Sequence, residues 1–114
     1  MTSAARGEIW VVDFNPVRGH EQAGCRPALI ISDDLFNRGR SGLAMVVPLT
    51  TRERNIPSHV MIMPPEGGIR LRSFIKCEDL RSVSIERLVE GPWGSLPQEK
   101  IAAVETRLRF LLGL

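Results

Sequence analysis

Hydrophobic and polar positions along the chain follow the short period of β-strands through most of its length. Five segments rich in β-branched and apolar residues are separated by turn-forming residues: 8–14, 28–32, 43–49, 59–63 and 72–78. Strand-length segments at such short, regular spacing are typical of a small, strongly bent sheet or barrel. We therefore predict a mainly β fold, with α-helix confined to short pieces and the C-terminal end.

Two of these segments carry more specific information. The run from Ala28 to Ser32 is apolar almost throughout, which predicts a strand buried on both faces. In residues 72–78, alternation predicts that Phe74, Lys76 and Glu78 share one face. Between the second and third strands, Ser32-Asp33-Asp34 supplies capping side chains for a short helical turn over residues 35–37.

The C-terminal segment changes to a helical period. Pro97 suits the first helical position, and Gly113 suits the residue that ends a helix. Apolar residues recur between them at steps of three or four, which predicts one stripe packed against the sheet. The stripe consists of Ile101, Val104, Leu108 and Leu111.

Composition is that of one soluble domain. The chain has 114 residues, of which 43% are hydrophobic and 25% charged, so we expect a single domain over residues 1–114. Its apolar runs are far shorter than the roughly 20 residues of a membrane span, and we expect no membrane span and no targeting segment. The two cysteines, Cys25 and Cys77, are far apart, and neither they nor the two histidines have metal-ligand spacing. We expect reduced thiols, a cytoplasmic location, and neither a metal nor another cofactor.

Charge changes this picture more than composition does. The formal net charge is only +2, but residues 35–77 carry seven basic and two acidic residues, for a local charge of +5 between acidic flanks. Arginine supplies 13 of the 15 basic residues, which favours flat, forked hydrogen-bonding cations. The basic middle suggests a localised anion-binding face, with an ordinary solvated surface as the alternative. With no Tyr, four Phe and two Trp, an RNA surface built mainly on base stacking is hard to assemble.

Residues 17–25 read as a long loop, because they hold two glycines and no apolar period. The loop and its flanks resemble the MazF/PemK family of bacterial toxin endoribonucleases. The resemblance rests on an ordered set of segments along nearly the whole chain: Arg6-Gly7-Glu8-Ile9-Trp10, Gly19-His20-Glu21-Gln22, Gly24-Cys25-Arg26-Pro27-Ala28-Leu29-Ile30, Phe36-Asn37, Val46-Val47-Pro48-Leu49-Thr50-Thr51, Ile75-Lys76-Cys77-Glu78, Leu80-Arg81-Ser82-Val83 and Leu112-Gly113-Leu114.

The resemblance implies a fold, an activity and partners. The expected fold is a small SH3-like β-barrel of about five to seven strands with short helices, closed by a C-terminal α-helix. The expected activity is metal-independent cleavage of single-stranded RNA at a short sequence, by a homodimer. The expected partner is a MazE-like antitoxin whose disordered C-terminal tail blocks the RNA groove.

Three residues are candidates for catalysis. Arg26 and Thr50 stand at the positions of the family's catalytic Arg and Thr, and His20 lies in the loop before Arg26. A guanidinium is effectively never deprotonated in a protein, so we assign Arg26 first to stabilising charge on the phosphate. Thr50 can donate its hydroxyl to a phosphate oxygen, and His20 has the pKa range for proton exchange. Which residue acts as general base and which as general acid stays open.

A second set of residues is predicted to bind RNA without reacting with it. Its members are Gln22, Arg38, Arg40, Thr51, Arg52, Arg54, Lys76, Glu78 and Arg81. The arginines of the basic middle are expected to contact backbone phosphates. Lys76-Cys77-Glu78 departs from an Arg-Cys-Asp sequence found in some members of the family, which puts the transfer of those roles in doubt. The alternative for Lys76 and Glu78 is an ordinary cross-strand ion pair.

Two other functions are compatible with the same fold. One is a toxin of the CcdB type, which poisons DNA gyrase by binding it and cuts nothing. The other is a catalytically silent RNA-binding barrel, which the departures at Lys76 and Glu78 make conceivable. Of the large aromatic residues, Trp10 is predicted to pack in the core, while Phe36 and Trp93 lie in irregular stretches and are left unassigned.

Overall fold

The computed structural model describes residues 3–15 and 24–114. The described residues form seven strands and two α-helices: β1 Glu8–Asp13, β2 Cys25–Ile30, α1 Asp34–Asn37, β3 Leu43–Thr50, β4 His59–Ile62, β5 Ser73–Lys76, β6 Arg81–Ser84, β7 Leu88–Ser95 and α2 Gln98–Leu112. Three 3₁₀ turns lie between them, at Glu66–Gly68, Cys77–Asp79 and Ile85–Arg87. The mainly β prediction is confirmed.

All strand pairings described are antiparallel, in the order β4-β5-β3-β2-β1-β7, with β6 paired to the first half of β3. In the described part of the chain no hydrogen-bonded ladder joins β4 to β7, so the sheet is barrel-like without being closed. The 3₁₀ turn Glu66–Gly68 packs on β7 instead. A Cβ on Gly68 would lie 2.2 Å from the carbonyl oxygen of Trp93, so only glycine allows this close approach.

The core has two layers, one on each face of β2 and β3. Leu29 and Val47 face the layer beneath α2, whereas Ala28, Ile30 and Val46 face the layer that contains Trp10. This explains why the second strand is apolar at successive positions and confirms its predicted burial on both faces. Trp10 is 7% exposed, so its predicted core position is also confirmed.

Helix α2 follows the predicted pattern except at Pro97 and Leu111. Pro97 is the residue before the first helical turn, one position earlier than predicted, and Gly113 ends the helix with a φ of 73°. Ile101 and Val104 are buried in the core and Leu108 packs against it. Leu111 is 41% exposed, so the last member of the predicted stripe lies outside the core.

The strand prediction for residues 72–78 was wrong at its end. Strand β5 stops at Lys76, and Cys77–Asp79 form a 3₁₀ turn, so alternation does not carry Glu78 onto the face of Lys76. The sequence pattern indicated no strand at β6 or β7, although the resemblance implied up to seven strands. Most of β7 is exposed, and Gly91 and Pro92 interrupt it, so its sequence lacks the apolar signal of a core strand.

The α1 turn begins as predicted, since the side chain of Asp33 accepts a hydrogen bond from Leu35 N. None of the described helices combines the length and apolarity needed to cross a bilayer.

Candidate active site

A cleft of about 250 Å³ opens where β3 exchanges one neighbour for another. The first half of β3 pairs with β6 and its end pairs with β5, while the chain crosses between the two through the turn Cys77–Asp79. Pro48 lies in this gap and has no N–H with which to continue a ladder. Within the described part of the chain, six residues line the cleft: Phe14, Arg26, Pro48, Lys76, Asp79 and Arg81.

Three residues predicted from the sequence meet in this cleft. Arg26, Lys76 and Arg81 come from β2, β5 and β6, three separate segments of the chain. Arg26 shares its face of β2 with Ala28, and Arg81 shares its face of β6 with Val83; both Ala28 and Val83 belong to the Trp10 layer. The cleft is therefore the polar end of that layer, and burial of the apolar residues positions the cations.

Asp79 contacts two of the cations. Its Oδ1 lies 3.1 Å from Arg81 Nη2, and its Oδ2 lies 3.5 Å from Lys76 Nζ. The guanidinium of Arg81 also lies over the ring of Phe14, 4.7 Å from its centroid. Among the described residues that line it, the cleft has three cations and one carboxylate, an excess of positive charge that suits a phosphodiester.

Thr50 ends β3 beside the cleft. The β2–β3 ladder ends at the pair Ala28 and Pro48, and Arg26 and Thr50 each lie two residues beyond that pair on their own strands, on the same faces as its members. Thr50 Oγ1 accepts a hydrogen bond from Arg52 N at 3.1 Å, which orients the hydroxyl. A hydroxyl held in this way can donate its own proton to an acceptor such as a phosphate oxygen.

Lys76 and Glu78, for which an ordinary ion pair was the alternative to RNA binding, do not pair with each other, and each contacts a different residue, Asp79 and His59 respectively. Lys76 faces the cleft, Cys77 is buried in the core with the pKa of its thiol raised to about 11 by burial, and Glu78 faces β4. Glu78 accepts a hydrogen bond from Ser58 Oγ at 2.7 Å and lies 2.9 Å from His59 Nε2. Burial alone would raise the pKa of Glu78, but the hydrogen bonds from Ser58 and His59 outweigh it, and the pKa is lowered.

The basic middle does not form one cluster. Arg38 and Arg40 precede the start of β3, whereas Arg52 and Arg54 follow its end, about 23 Å away at the usual rise of a strand. All four arginines are exposed. Thr51 is exposed next to Thr50. His20 and Gln22 lie outside the described residues.

Sequence reasoning missed Asp79 and Phe14. A signal existed for Asp79, because Lys76 and Asp79 are three positions apart and side chains at that spacing are aligned in a 3₁₀ turn. The prediction of a strand through residues 72–78 left no turn at this point, so it did not bring Asp79 close to Lys76. Within residues 3–15 and 24–114, no three His, Cys, Asp or Glu side chains are grouped closely enough to hold a metal ion.

Residues 5–112 match the family model described as the PemK-like, MazF-like toxin of type II toxin-antitoxin systems. The chain belongs to this family. The match covers almost the full length, including the strands that carry Arg26, Thr50, Lys76 and Arg81.

Relatives in the family are similar over nearly all of their length. Endoribonuclease MazF9 of Mycobacterium tuberculosis is 33% identical over 114 residues, 96% of each chain. Endoribonuclease EndoA of Bacillus subtilis is 33% identical over 111 residues, 96% of this chain and 94% of EndoA. The solved MazF structure of Deinococcus radiodurans has a TM-score of 0.83 at 28% identity and full coverage of both chains. A chain in a solved MazE-MazF structure from the same organism has a TM-score of 0.82 at 29% identity, covering 100% of this chain and 99% of its own.

Proposed function

We propose that this toxin is an endoribonuclease that cuts single-stranded RNA in the cleft around Arg26. The observation that carries the proposal is the meeting of Arg26, Lys76 and Arg81 beside Thr50, in a chain whose relatives are named endoribonucleases. In the proposed reaction the 2′-oxygen attacks the adjacent phosphorus and the bond from phosphorus to the 5′-oxygen breaks. The products are a 2′,3′-cyclic phosphate and a 5′-OH, and the proton lost by the 2′-OH is balanced by the one gained by the 5′-oxygen.

The cleft residues have complementary roles in this reaction. Arg26 offers two parallel N–H donors to the non-bridging phosphate oxygens, where negative charge grows in the transition state. Thr50 donates its hydroxyl to the same group and keeps the attacking oxygen in line. Lys76 and Arg81 supply further positive charge of the kind a metal ion supplies in other nucleases, so the reaction is proposed to be metal-independent. His20 is the proposed site of proton exchange.

RNA binding is assigned to residues around the cleft. Thr51, Arg52 and Arg54 continue from Thr50 and are proposed to follow the RNA backbone, and Gln22 is also proposed to bind RNA. Arg38 and Arg40 would contact only a long substrate, since they lie at the other end of β3. For Glu78 we propose a structural role through Ser58 and His59, and no contact with RNA.

The proposed biological unit is a homodimer in the cytoplasm, held inactive by a MazE-like antitoxin. The MazE-MazF structure of the similar chain supports this partner. The antitoxin's C-terminal tail is proposed to occupy the RNA groove, where carboxylates could pair with the cleft cations.

The decisive experiment uses purified protein and a single-stranded RNA in EDTA, with the same RNA carrying a 2′-deoxy nucleotide before the cut as the matched substrate. We expect cleavage of the first, none of the second at that site, and 5′-OH ends on the products. A strict requirement for a divalent ion would overturn the metal-independent mechanism, and cleavage of the 2′-deoxy bond would overturn attack by the 2′-OH.

A further inference from the structure

A second recess, of about 480 Å³, lies beside the cleft and has a different chemistry. Gly68, Ile69 and Leu71 form part of its apolar surface. The other described residues that line it are Pro27, Thr51, Arg70, Ser73, Glu90 and Trp93. We call it the Trp93 recess.

The Trp93 recess and the cleft lie at the same ends of β2 and β3. Arg26 lines the cleft, and the next residue, Pro27, lines the recess. Likewise Thr50 ends β3, and the next residue, Thr51, lines the recess. Consecutive residues of a strand point to opposite faces, so the two spaces open on opposite faces of the sheet at these strand ends. Since consecutive Cα atoms are only about 3.8 Å apart, an RNA strand that passes over the strand ends can place a phosphate at Arg26 and a neighbouring base in the recess.

The cleft and the Trp93 recess differ in the charged residues that line them. Counting the described lining residues alone, the cleft has three cations and one carboxylate, whereas the recess has one cation, Arg70, and one carboxylate, Glu90. A balanced, largely apolar recess offers little to a phosphate. It suits a flat aromatic group with polar edges, which can stack on an indole or a guanidinium and hydrogen-bond at its rim.

The indole of Trp93 is fixed in position and partly exposed. Its Nε1 donates to Glu90 Oε2 at 2.8 Å, and its backbone is fixed by the close approach of Gly68. The residue is 38% exposed, which leaves part of the indole open to a ligand. A carboxylate has two oxygens, so Glu90 can hold the indole with one and accept from the amino group of a base with the other.

We propose that the Trp93 recess binds one unpaired nucleobase of the substrate next to the cut, and that Trp93 is a specificity-determining residue. This inference rests on the proposed RNA cleavage and adds a position of sequence selection to it. A single stacking residue is also consistent with a chain that has few aromatic residues: one base is stacked while phosphate contacts supply most of the affinity.

The first test compares cut-site profiles on a complex RNA pool, mapped by sequencing the new 5′-OH ends. Trp93→Ala is expected to relax base preference at one position flanking the cut by about fivefold or more, with cleavage retained. Trp93→Phe should keep most of the preference. Val89→Ala is the matched control, since Val89 lies on the same strand and is 55% exposed but does not line the recess. An unchanged profile in a folded Trp93→Ala protein would overturn the proposal.

The second test measures base binding without cleavage. The chain has two tryptophans, and Trp10 is 7% exposed, so a bound base should quench chiefly the fluorescence of Trp93. The probes are four 2′-O-methyl homo-oligoribonucleotides, one for each base, which cannot be cut. We expect quenching by at least one of them in the wild type and none in Trp93→Phe.

The two tests separate the recess from the activity. Wild-type protein that cuts no RNA would overturn the proposed function, whereas quenching is measured on uncut oligonucleotides and judges the recess itself. Absence of quenching by all four oligonucleotides would overturn the nucleobase assignment. If quenching is absent and the cut-site profile is also unchanged, the recess would instead be assigned to binding a protein such as the antitoxin.

Discussion

Asp79 holds Arg81 in the cleft through an ion pair, with 3.1 Å between Asp79 Oδ1 and Arg81 Nη2. The other oxygen of the same carboxylate lies 3.5 Å from Lys76 Nζ, so one acidic residue sets the positions of two cations. An exposed ion pair adds little to stability. Its effect here is to fix where the positive charge of Lys76 and Arg81 lies in the cleft.

Asp79→Asn tests this positioning. Removing the carboxylate raises the net charge of the cleft by one, so RNA should bind at least as tightly. It also leaves Lys76 and Arg81 less well placed, so kcat should fall about tenfold. Steady-state kinetics over a range of salt concentrations separates the two effects. Glu86→Gln removes the same charge from an exposed position outside the cleft and should leave kcat unchanged. Equal effects of the two variants would show that Asp79 acts only through net charge.

Arg26→Ala removes the proposed phosphate grip. We expect kcat/KM to fall about 10²–10³-fold, the usual cost of losing one donor aimed at transition-state charge. Arg26→Lys should recover only part of the rate, because an ammonium cannot make the two parallel hydrogen bonds of a guanidinium. Single-turnover cleavage of a defined RNA measures both.

The control for Arg26 is Arg109→Ala, which removes one charge from the exposed end of α2 and should cleave normally. Normal cleavage by Arg26→Ala would instead refute the assignment of the cleft as the active site.

Thr50→Val replaces the hydroxyl by a methyl group of nearly the same shape. If the hydroxyl donates to a charged phosphate, its loss should slow the chemical step about tenfold or more. Thr50→Ser keeps the donor and should retain most of the rate. Single-turnover rates at saturating enzyme distinguish the two variants. Equal rates for Thr50→Val and Thr50→Ser would assign Thr50 a packing role.

Gly68→Ala should destabilise the fold strongly. The residue has a φ of 77°, and its new Cβ would lie 2.2 Å from the carbonyl oxygen of Trp93. We expect a loss of about 3 kcal/mol or more in the free energy of unfolding. Gly42→Ala is the matched control, since Gly42 also has a positive φ, 69°, but nothing lies within 4 Å of its Cβ.

For Gly42→Ala we expect only the conformational cost of about 1–2 kcal/mol. Urea denaturation measures both glycine variants. Equal losses would show that backbone strain, and not the contact with β7, limits substitution at Gly68.

Glu78 makes stability depend on pH in the acid range. Its pKa is lowered in the folded protein from the ordinary value of 4.5, so its stabilising contribution is present above that value and is lost as pH falls through the lowered pKa. Glu78→Gln should reduce stability near neutral pH and flatten the decline on the acid side. Ser58→Ala keeps the carboxylate but removes one hydrogen bond to it, and should move the acid midpoint upward. Thermal melts from pH 3 to pH 7 measure these changes, and parallel profiles for wild type and Glu78→Gln would contradict the assignment.

Local pattern was enough to predict several elements of this protein. Successive apolar residues in β2 predicted burial on both faces, and the three-and-four spacing after Pro97 predicted α2, because the period of apolar positions reflects the face that each element buries. The ordered motifs of the sequence alone placed Arg26 and Thr50 among the candidate residues.

Only the tertiary structure decided which charges meet. Arg26, Lys76 and Arg81 converge because β3 changes neighbours at Pro48, while Arg38 and Arg40 of the same basic middle lie at the far end of that strand. Asp79 lines the cleft and Glu78 does not, because the chain turns after Lys76. Strand pairing joins segments far apart in the sequence, and the energy that fixes it comes from burial in the shared core. The sequence around a single charge therefore determines its local element, but the packing of the whole sheet determines its neighbours.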